Sequence, residues 1–85
     1  NNGIITNLNL QLFPNPSSDF ITLKIQNMIS KEFTINIQNI FGKFMKVNQK
    51  VKNIEQVDVS TFNPGVYVIT INCSEGQISK QFIKI

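Results

Sequence analysis

Short runs in which apolar and polar residues alternate recur along the chain, and turn-forming residues separate them. A period of two places every second side chain on the same face of an extended backbone, so each run predicts one half-buried β-strand. Each triplet of alternating apolar residues then forms one buried face. The three clearest triplets are Leu8, Leu10 and Leu12, then Ile21, Leu23 and Ile25, and then Phe33, Ile35 and Ile37.

Shorter runs between residues 45 and 71 extend the same pattern. Residues 66–71 are apolar at five of six positions, which is typical of a central strand with neighbours on both sides. Two further strands are predicted where Met45 and Val47 flank Lys46, and where Val57 and Val59 flank Asp58.

The last predicted strand, residues 77–85, changes its apolar parity. Ile78 lies on the opposite register to Ile83 and Ile85, with Phe82 between them. We therefore expect a bulge in this strand, or a strand that passes from one sheet to the other.

Gly and Pro residues predict the turns between these strands. Asn63-Pro64-Gly65 puts a fixed φ before a residue that accepts positive φ, as a type II turn requires. Residues 39–42 and 74–76 each place a Gly where a type I hairpin turn needs its left-handed residue. Residues 13–16, with the sequence FPNP, predict a corner that ends a strand, because two of them lack an N–H group.

Composition and strand spacing together favour an all-β fold. Ile, Val, Phe, Thr and Tyr supply 33 of the 85 residues, and these are the residue types that fit a pleated sheet. Seven short strands at about eleven residues per repeat predict an immunoglobulin-like antiparallel β-sandwich. An OB-type barrel, which has five longer strands, is the alternative. We expect residues 1–7 to be a linker to an upstream domain and residues 8–85 to be the folded domain.

The residue types needed for most enzyme chemistry are missing. The chain has no His and one Cys, which excludes a His-based triad, a zinc site built on His or paired thiolates, and a disulfide framework. Its five carboxylates are scattered. We therefore predict neither an enzyme nor a cofactor or metal site, and we expect Cys73 to be a small apolar residue rather than a nucleophile.

The positive charge is carried by lysine alone. The net charge is +3 and the chain contains no Arg, so bidentate recognition of phosphate or guanine is not available and we expect no nucleic-acid partner. Lysines are concentrated in residues 43–52, where they are best interpreted as a solvated strand edge. No run of 18 apolar residues occurs, so we expect no membrane insertion, and we expect a monomer.

Four stretches, in this order and at these spacings, resemble the type A C-terminal sorting domain of the type IX secretion system, which exported proteins of Bacteroidetes carry. Residues 12–20 (LFPNPSSDF) are similar to its opening motif, and residues 35–43 (INIQNIFGK) to its hairpin. Residues 57–69 (VDVSTFNPGVYVI) resemble its Pro-Gly-Val-Tyr segment, and residues 82–85 (FIKI) its short terminal strand. The resemblance covers the chain from about residue 8 to residue 85.

The resemblance implies a sorting motif, and each residue of the family's motif has a matching position in this sequence. Asn39 stands where the family usually has Asp and Lys43 where it often has Arg, and both keep the turn-forming or basic character. The implied motif residues are Pro14, Asn15, Pro16, Asn39, Gly42, Lys43, Pro64, Gly65, Tyr67, Phe82, Ile83, Lys84 and Ile85.

A member of this family acts as a signal rather than as a catalyst. The resemblance implies that a passenger in cis is carried through the periplasm, recognised there by the outer-membrane translocon and shuttle proteins of the type IX system, and delivered to the cell surface or the exterior. A sortase-like surface peptidase then removes the domain, and the passenger is joined to an anionic lipopolysaccharide or released. We expect any cut upstream of Leu8.

Several alternatives stay open from the residues themselves. The motif residues Pro14, Asn15 and Pro16 can serve only to shape a corner, and we expect Tyr67 to bury its ring and find a partner for its hydroxyl. The whole domain can equally be a structural or carbohydrate-binding sandwich attached to a secreted enzyme. If residues 77–85 lie at a sheet edge, a receptor strand can pair with them while Phe82, or Ile83 and Ile85, enters pockets.

Overall fold

The structure, a computed structural model, describes residues 9–26, 33–73 and 76–85, and it is all-β in these ranges. Each strand overlaps one of the runs that the sequence predicts as strands, and β2 and β3 show most clearly how period-two patterning buries one face. The strands are β1 (Asn9–Phe13), β2 (Phe20–Gln26), β3 (Phe33–Asn39), β4 (Phe44–Val51), β5 (Ile54–Asp58), β6 (Gly65–Cys73) and β7 (Gly76–Lys84).

Two antiparallel sheets pack face to face. Sheet A has the strand order β1-β2-β5 and sheet B the order β4-β3-β6-β7, so the connections from β2 to β3, from β4 to β5 and from β5 to β6 pass between sheets. The predicted seven-stranded β-sandwich is confirmed, and an immunoglobulin-like fold is consistent with it. The alternative barrel is not what forms.

The core lies between the sheets and consists of the inward-facing residue of each alternating pair. Ile21, Leu23 and Ile25 of β2 and Ile35 and Ile37 of β3 are all buried in one hydrophobic cluster. Burial of one such side chain stabilises the fold by about 1.5–3 kcal/mol, so the core contributes the main stabilisation. The remaining core residues are Leu10, Phe33, Val51, Val57, Val59, Phe62, Tyr67, Ile69, Ile71 and Phe82.

The predicted central strand is confirmed as β6. It pairs along its length with β3 on one side and with β7 on the other. Its inward residues Tyr67, Ile69 and Ile71 are buried, while Val66 and Val68 on the outer face are half-buried.

The expected bulge in the last strand is wrong. β7 pairs with β6 in continuous register from Gly76 opposite Cys73 to Lys84 opposite Gly65. Ile78 and Phe82 therefore point inward together, and Ile83 points outward, where it is 46 % exposed. The apparent change of parity arises because the strand presents apolar residues on both faces.

The irregularity of sheet B lies in β4 instead. The register with β3 shifts twice, first between Gln49 and Lys46, where Asn48 has a φ of 53°, and again between Lys46 and Phe44. Met45 lies in the second shift and packs against the core, whereas Val47, between the two shifts, is exposed. Asn36 fastens the first shift, since its Oδ1 accepts a hydrogen bond of 2.7 Å from the Asn48 N–H.

Some sequence predictions fall on residues outside the described ranges. These are the linker 1–7, the contribution of Leu8 to the first strand, and Ser74 and Glu75 of the turn before β7. Within the described ranges, no helix is long and apolar enough to cross a lipid bilayer.

Candidate recognition surface

All four stretches that carry the motifs meet at one end of the sandwich, called here the motif end. β1 and β5 finish there and β2 starts there, while in sheet B β3 and β7 finish and β4 and β6 start at the same end. The antiparallel pairing brings these strand ends together although they lie far apart along the chain. A hydrogen bond of 2.9 Å from the Val59 N–H to the Asp19 carbonyl joins two of the connecting loops.

Residues 15–17 form a clasp on the end of β7. The Asn15 Oδ1 accepts a hydrogen bond of 2.9 Å from the Ile83 N–H. Ser17 bridges to the same strand, since its N–H donates to the Ile83 carbonyl at 2.8 Å and its carbonyl accepts from the Ile85 N–H at 2.8 Å. The clasp thus ties the loop that follows β1 in sheet A to the last strand of sheet B.

The side chains of the clasp differ in exposure. Ser17 is fully buried, and its hydroxyl lies 3.3 Å from the Ile83 carbonyl. Pro14 and Pro16 are exposed, and the peptide bonds that precede them are both cis. The predicted corner is confirmed, and the structure adds that this corner pairs with a strand at the other end of the sequence.

The clasp limits what β7 can offer to a receptor. β7 is an edge strand of sheet B, as the edge hypothesis required. However, the backbone N–H and C=O groups of Ile83, which lie on the free edge of β7, already bond to Asn15 and Ser17. The N–H of Ile85 bonds to Ser17 as well. In an antiparallel pair, every second residue of an edge strand points its backbone N–H and C=O away from its partner. In β7, Gln77, Ser79 and Gln81 do so, and their backbone groups are the part of the edge that a receptor strand can pair with.

Phe82 is not a residue that can enter a receptor pocket. Its side chain is fully buried and stacks on Tyr67 with ring centroids 5.6 Å apart. Lys84 is also mostly buried, and its Nζ donates to the Ile85 carbonyl at 2.8 Å. Of the four terminal motif residues, only Ile83 and Ile85 present exposed side chains.

The β3–β4 hairpin confirms the turn that its Gly predicted. Gly42 has a φ of 86°, and its N–H donates to the Asn39 carbonyl at 3.0 Å, which closes a four-residue turn. The Asn39 Oδ1 accepts hydrogen bonds of 2.9 Å from the N–H groups of Phe41 and Lys43. Asn at this position therefore holds the turn with a carbonyl oxygen, an acceptor that Asp also has.

The segment before β6 also differs in part from the prediction. Gly65 has a φ of 157°, far from the value of about +80° that a type II turn gives its third residue. Gly65 is instead the first residue of β6, extended and paired with Lys84. Pro64 is exposed beside it.

Tyr67 is a core residue, as expected. Its ring is buried against Phe62, with centroids 5.0 Å apart, and its hydroxyl donates a hydrogen bond of 2.6 Å to the Asn63 carbonyl. This bond ties the Tyr back to the loop four residues earlier, an arrangement that recurs in β-sandwiches. Tyr67 thus fixes the shape of the motif end from inside.

Sequence reasoning missed the exposed apolar residues of the motif end. Phe41 at the hairpin tip is 87 % exposed, and it sits beside the exposed Ile40 and Phe44. A usable signal was present, since two large apolar residues stand at the centre of a predicted turn, where burial is not expected. Phe13 and Phe20 are exposed at the same end on the face of sheet A.

The charged groups at this end offer little reactive chemistry. Asp58 accepts hydrogen bonds from the hydroxyl (2.6 Å) and the N–H (2.9 Å) of Ser60, and these bonds hold the pKa of this exposed carboxyl below its ordinary value. Lys46 lowers that pKa further by its charge. In the part of the chain that the structure describes, no three His, Cys, Asp or Glu side chains form a group that holds a metal ion. Cys73 is half-buried and packs against the core.

The comparison with known families matches one model. The model described as "Secretion system C-terminal sorting domain" covers residues 11–85, which includes all four motif stretches. No curated protein matches the chain.

Proposed function

The chain belongs to the family of secretion system C-terminal sorting domains, and from this premise we propose that it acts as a folded label, which the type IX machinery reads to carry a passenger through the outer membrane. A sorting signal implies a passenger in cis, the type IX secretion machinery, and export to the cell surface or the extracellular space. This is a family of signals and not of enzymes.

The family match over residues 11–85 is the observation that carries the proposal. A second observation supports it, because all the matched motif stretches lie at one end of the sandwich. The exposed side chains of these stretches are therefore close enough together for one receptor to contact. We therefore place recognition at the motif end and assign the sorting role to the exposed motif residues, among them Pro14, Pro16, Lys43 and Ile83.

We divide the motif into residues that are read and residues that hold the shape. Asn15, Asn39, Gly42, Gly65, Tyr67, Phe82 and Lys84 hold the backbone or fill the core at the motif end. Their part in sorting is indirect, because a receptor meets a surface that they position.

After export, the domain is removed and its passenger is either joined to lipopolysaccharide or released. We place the cut for a sortase-like peptidase in the linker, residues 1–7, ahead of the folded domain. β1 supports this placement, since it is paired with β2 along its length and Leu10 is buried. A peptidase needs an accessible extended segment, and cutting inside β1 requires the sandwich to open. Folding of the domain takes place in the periplasm, before translocation.

A reporter fusion tests the proposal. The domain is attached to the C-terminus of a monomeric periplasmic reporter in a host that has the type IX system, with a translocon-deficient host as control. Surface or extracellular reporter in the competent host alone supports a sorting signal. Reporter that stays in the periplasm in both hosts contradicts the proposal and favours a structural spacer, and binding on a glycan array without export favours a carbohydrate module.

The cleavage step has its own measurement. Mass spectrometry of the C-terminus of the exported reporter is expected to find a cut at or before residue 7, with or without an added lipopolysaccharide fragment. A C-terminus inside β1, or an intact domain on the exported reporter, contradicts the proposed cut.

A further inference from the structure

Exposed apolar residues gather on sheet B at the motif end. We call them the patch and define it by Ile40, Phe41, Phe44, Val66 and Ile83. Val66 and Ile83 are direct cross-strand partners on the outer face, and Ile40, Phe41 and Val66 line a shallow depression of about 240 Å³ that opens at the end of the sandwich. Phe44 is opposite Gln38, which is opposite Val68, so it lies in the next row of the same face. Exposed apolar residues that adjoin in this way mark interaction sites.

The patch is held rigidly. The Asn39 side chain fixes the hairpin that carries Ile40, Phe41 and Phe44, and the clasp fixes the backbone of Ile83. A partner therefore binds these side chains without ordering a flexible loop, and this preorganisation favours affinity.

The charged side chain that adjoins the patch is a lysine. The strands of sheet B contain four more lysines and no carboxylate, but Lys80 and Lys84 are on the inward register of β7, and Lys46 is near enough to Asp58 to lower its pKa. Lys43 lines the depression beside Ile40 and Phe41 and is exposed. The described carboxylates, Asp19, Glu55 and Asp58, belong to the strands and loops of sheet A. A carboxylate of a partner is therefore attracted to Lys43 at the border of the patch.

We propose that this patch is the surface by which a receptor protein of the secretion machinery holds the domain, and that the receptor offers an apolar cleft edged with carboxylates. The inference rests on the proposed function and names the recognition surface within it. Phe41 and Phe44 enter the cleft, because large aromatic side chains contribute most to the centres of protein interfaces. Lys43 pairs with the acidic edge.

The chain provides a matched control for this patch. Val47, in the middle of β4, is 59 % exposed, and Ile54, the first residue of β5, is 57 % exposed. Both are large apolar side chains about as exposed as Phe44, which is 54 % exposed, and both lie away from the motif end.

The test compares the double variant Phe41→Ser/Phe44→Ser with Val47→Ser/Ile54→Ser in the reporter fusion described above. Surface reporter is expected to fall about tenfold or more in the first variant, by the loss of two central interface residues, and to stay near wild type in the second. Circular dichroism melts of both purified domains check that each remains folded. Equal delivery by the two folded variants overturns the inference. A failure of the wild-type domain to deliver the reporter overturns the proposed function instead.

The charge of the partner is tested separately. Lys43→Glu is expected to reduce delivery several-fold and Lys24→Glu, in sheet A, to leave it unchanged; equal effects contradict the acidic edge. Flotation with phosphatidylglycerol vesicles tests whether the patch binds an anionic membrane instead of a protein. Vesicle binding that is lost in Phe41→Ser/Phe44→Ser overturns the assignment to a protein receptor, and an absence of vesicle binding supports it.

Discussion

The side chain of Asn15 accepts a hydrogen bond from the backbone N–H of Ile83, a residue 68 positions further along the chain. Two of the four motif stretches are therefore one structural unit. With Ser17, the bond closes the end of β7 against the loop between β1 and β2. The last residues of the sheet are held in place, and a receptor strand that extends to Ile83 must first displace this clasp.

Asn15→Ala is expected to loosen the end of β7. The variant loses the acceptor for the Ile83 N–H, at a cost of about 0.5–1.5 kcal/mol in unfolding free energy. Hydrogen exchange measured by NMR should show faster exchange at Ile83, while Ile71 in the sheet centre follows only the global change. Asn15→Asp keeps an acceptor oxygen, so exchange of the Ile83 N–H should stay slow. Asn53→Ala, at an exposed position, is the control. Unchanged exchange at Ile83 in Asn15→Ala would show that the bond does not hold the strand.

Phe82→Ala should destabilise the fold severely. The ring is fully buried and stacks on Tyr67, so its loss costs about 3–5 kcal/mol by the creation of a cavity. This cost is a large share of the unfolding free energy of a domain of this size, which is typically about 4–13 kcal/mol. Phe82→Leu is therefore the second variant to measure, and we expect it to cost less than about 1.5 kcal/mol. Urea denaturation measures both. Ile83→Ser on the outer face should change stability by less than about 0.5 kcal/mol, and a loss equal to that of Phe82→Ala is incompatible with the burial seen.

Tyr67→Phe separates the hydroxyl from the ring. The ring contacts with Phe62 and Phe82 remain, but the hydrogen bond to the Asn63 carbonyl is lost. We expect a loss of about 0.5–1.5 kcal/mol in urea denaturation, and a larger loss for Tyr67→Leu, which removes both ring contacts. Equal stability of Tyr67→Phe and wild type would mean that the hydroxyl does not fasten this loop.

Gly42→Ala introduces a side chain at a φ of 86°. No atom lies within 4 Å of the new Cβ, so the cost comes from the backbone alone, about 1–2 kcal/mol. Asn tolerates this conformation better than other residues, so Gly42→Asn should lose less. Thermal melts compare the two variants. If Gly42→Ala is more stable than Gly42→Asn, the left-handed conformation of residue 42 does not determine the stability of the turn.

Asp58 should make a small contribution to acid stability. Its folded pKa is lowered, chiefly by the hydroxyl and N–H of Ser60, so the contribution is complete above the unfolded pKa and is lost as pH falls through the folded pKa. NMR titration should place the pKa of Asp58 closer to its ordinary value in Ser60→Ala, which keeps only the backbone bond. Thr61→Ala is the neighbouring control. An unchanged Asp58 titration in Ser60→Ala would exclude the hydroxyl as the main cause.

Local patterns predicted the strands and most turns correctly. Ile21, Leu23 and Ile25 are buried as their spacing required, and Gly42 has the positive φ that its turn predicted. The prediction failed where a strand has apolar residues on both faces, because period two then gives no unique inward face. Ile83 and Ile85 therefore pointed to a bulge in β7, whereas the two register shifts of sheet B lie in β4, around Asn48 and around Met45.

The all-β class, the seven strands, the hairpin turn at Gly42 and the four family motifs follow from local patterns in the sequence, because each of these depends on residues close together in the chain. The contact of Asn15 with Ile83, the burial of Phe82 and the shared outer face of Phe44 and Ile83 arise only when the sheets assemble. Strands pair through backbone N–H and C=O groups that nearly every residue carries, so the choice of partners comes from how whole faces pack. The recognition surface is a product of that packing.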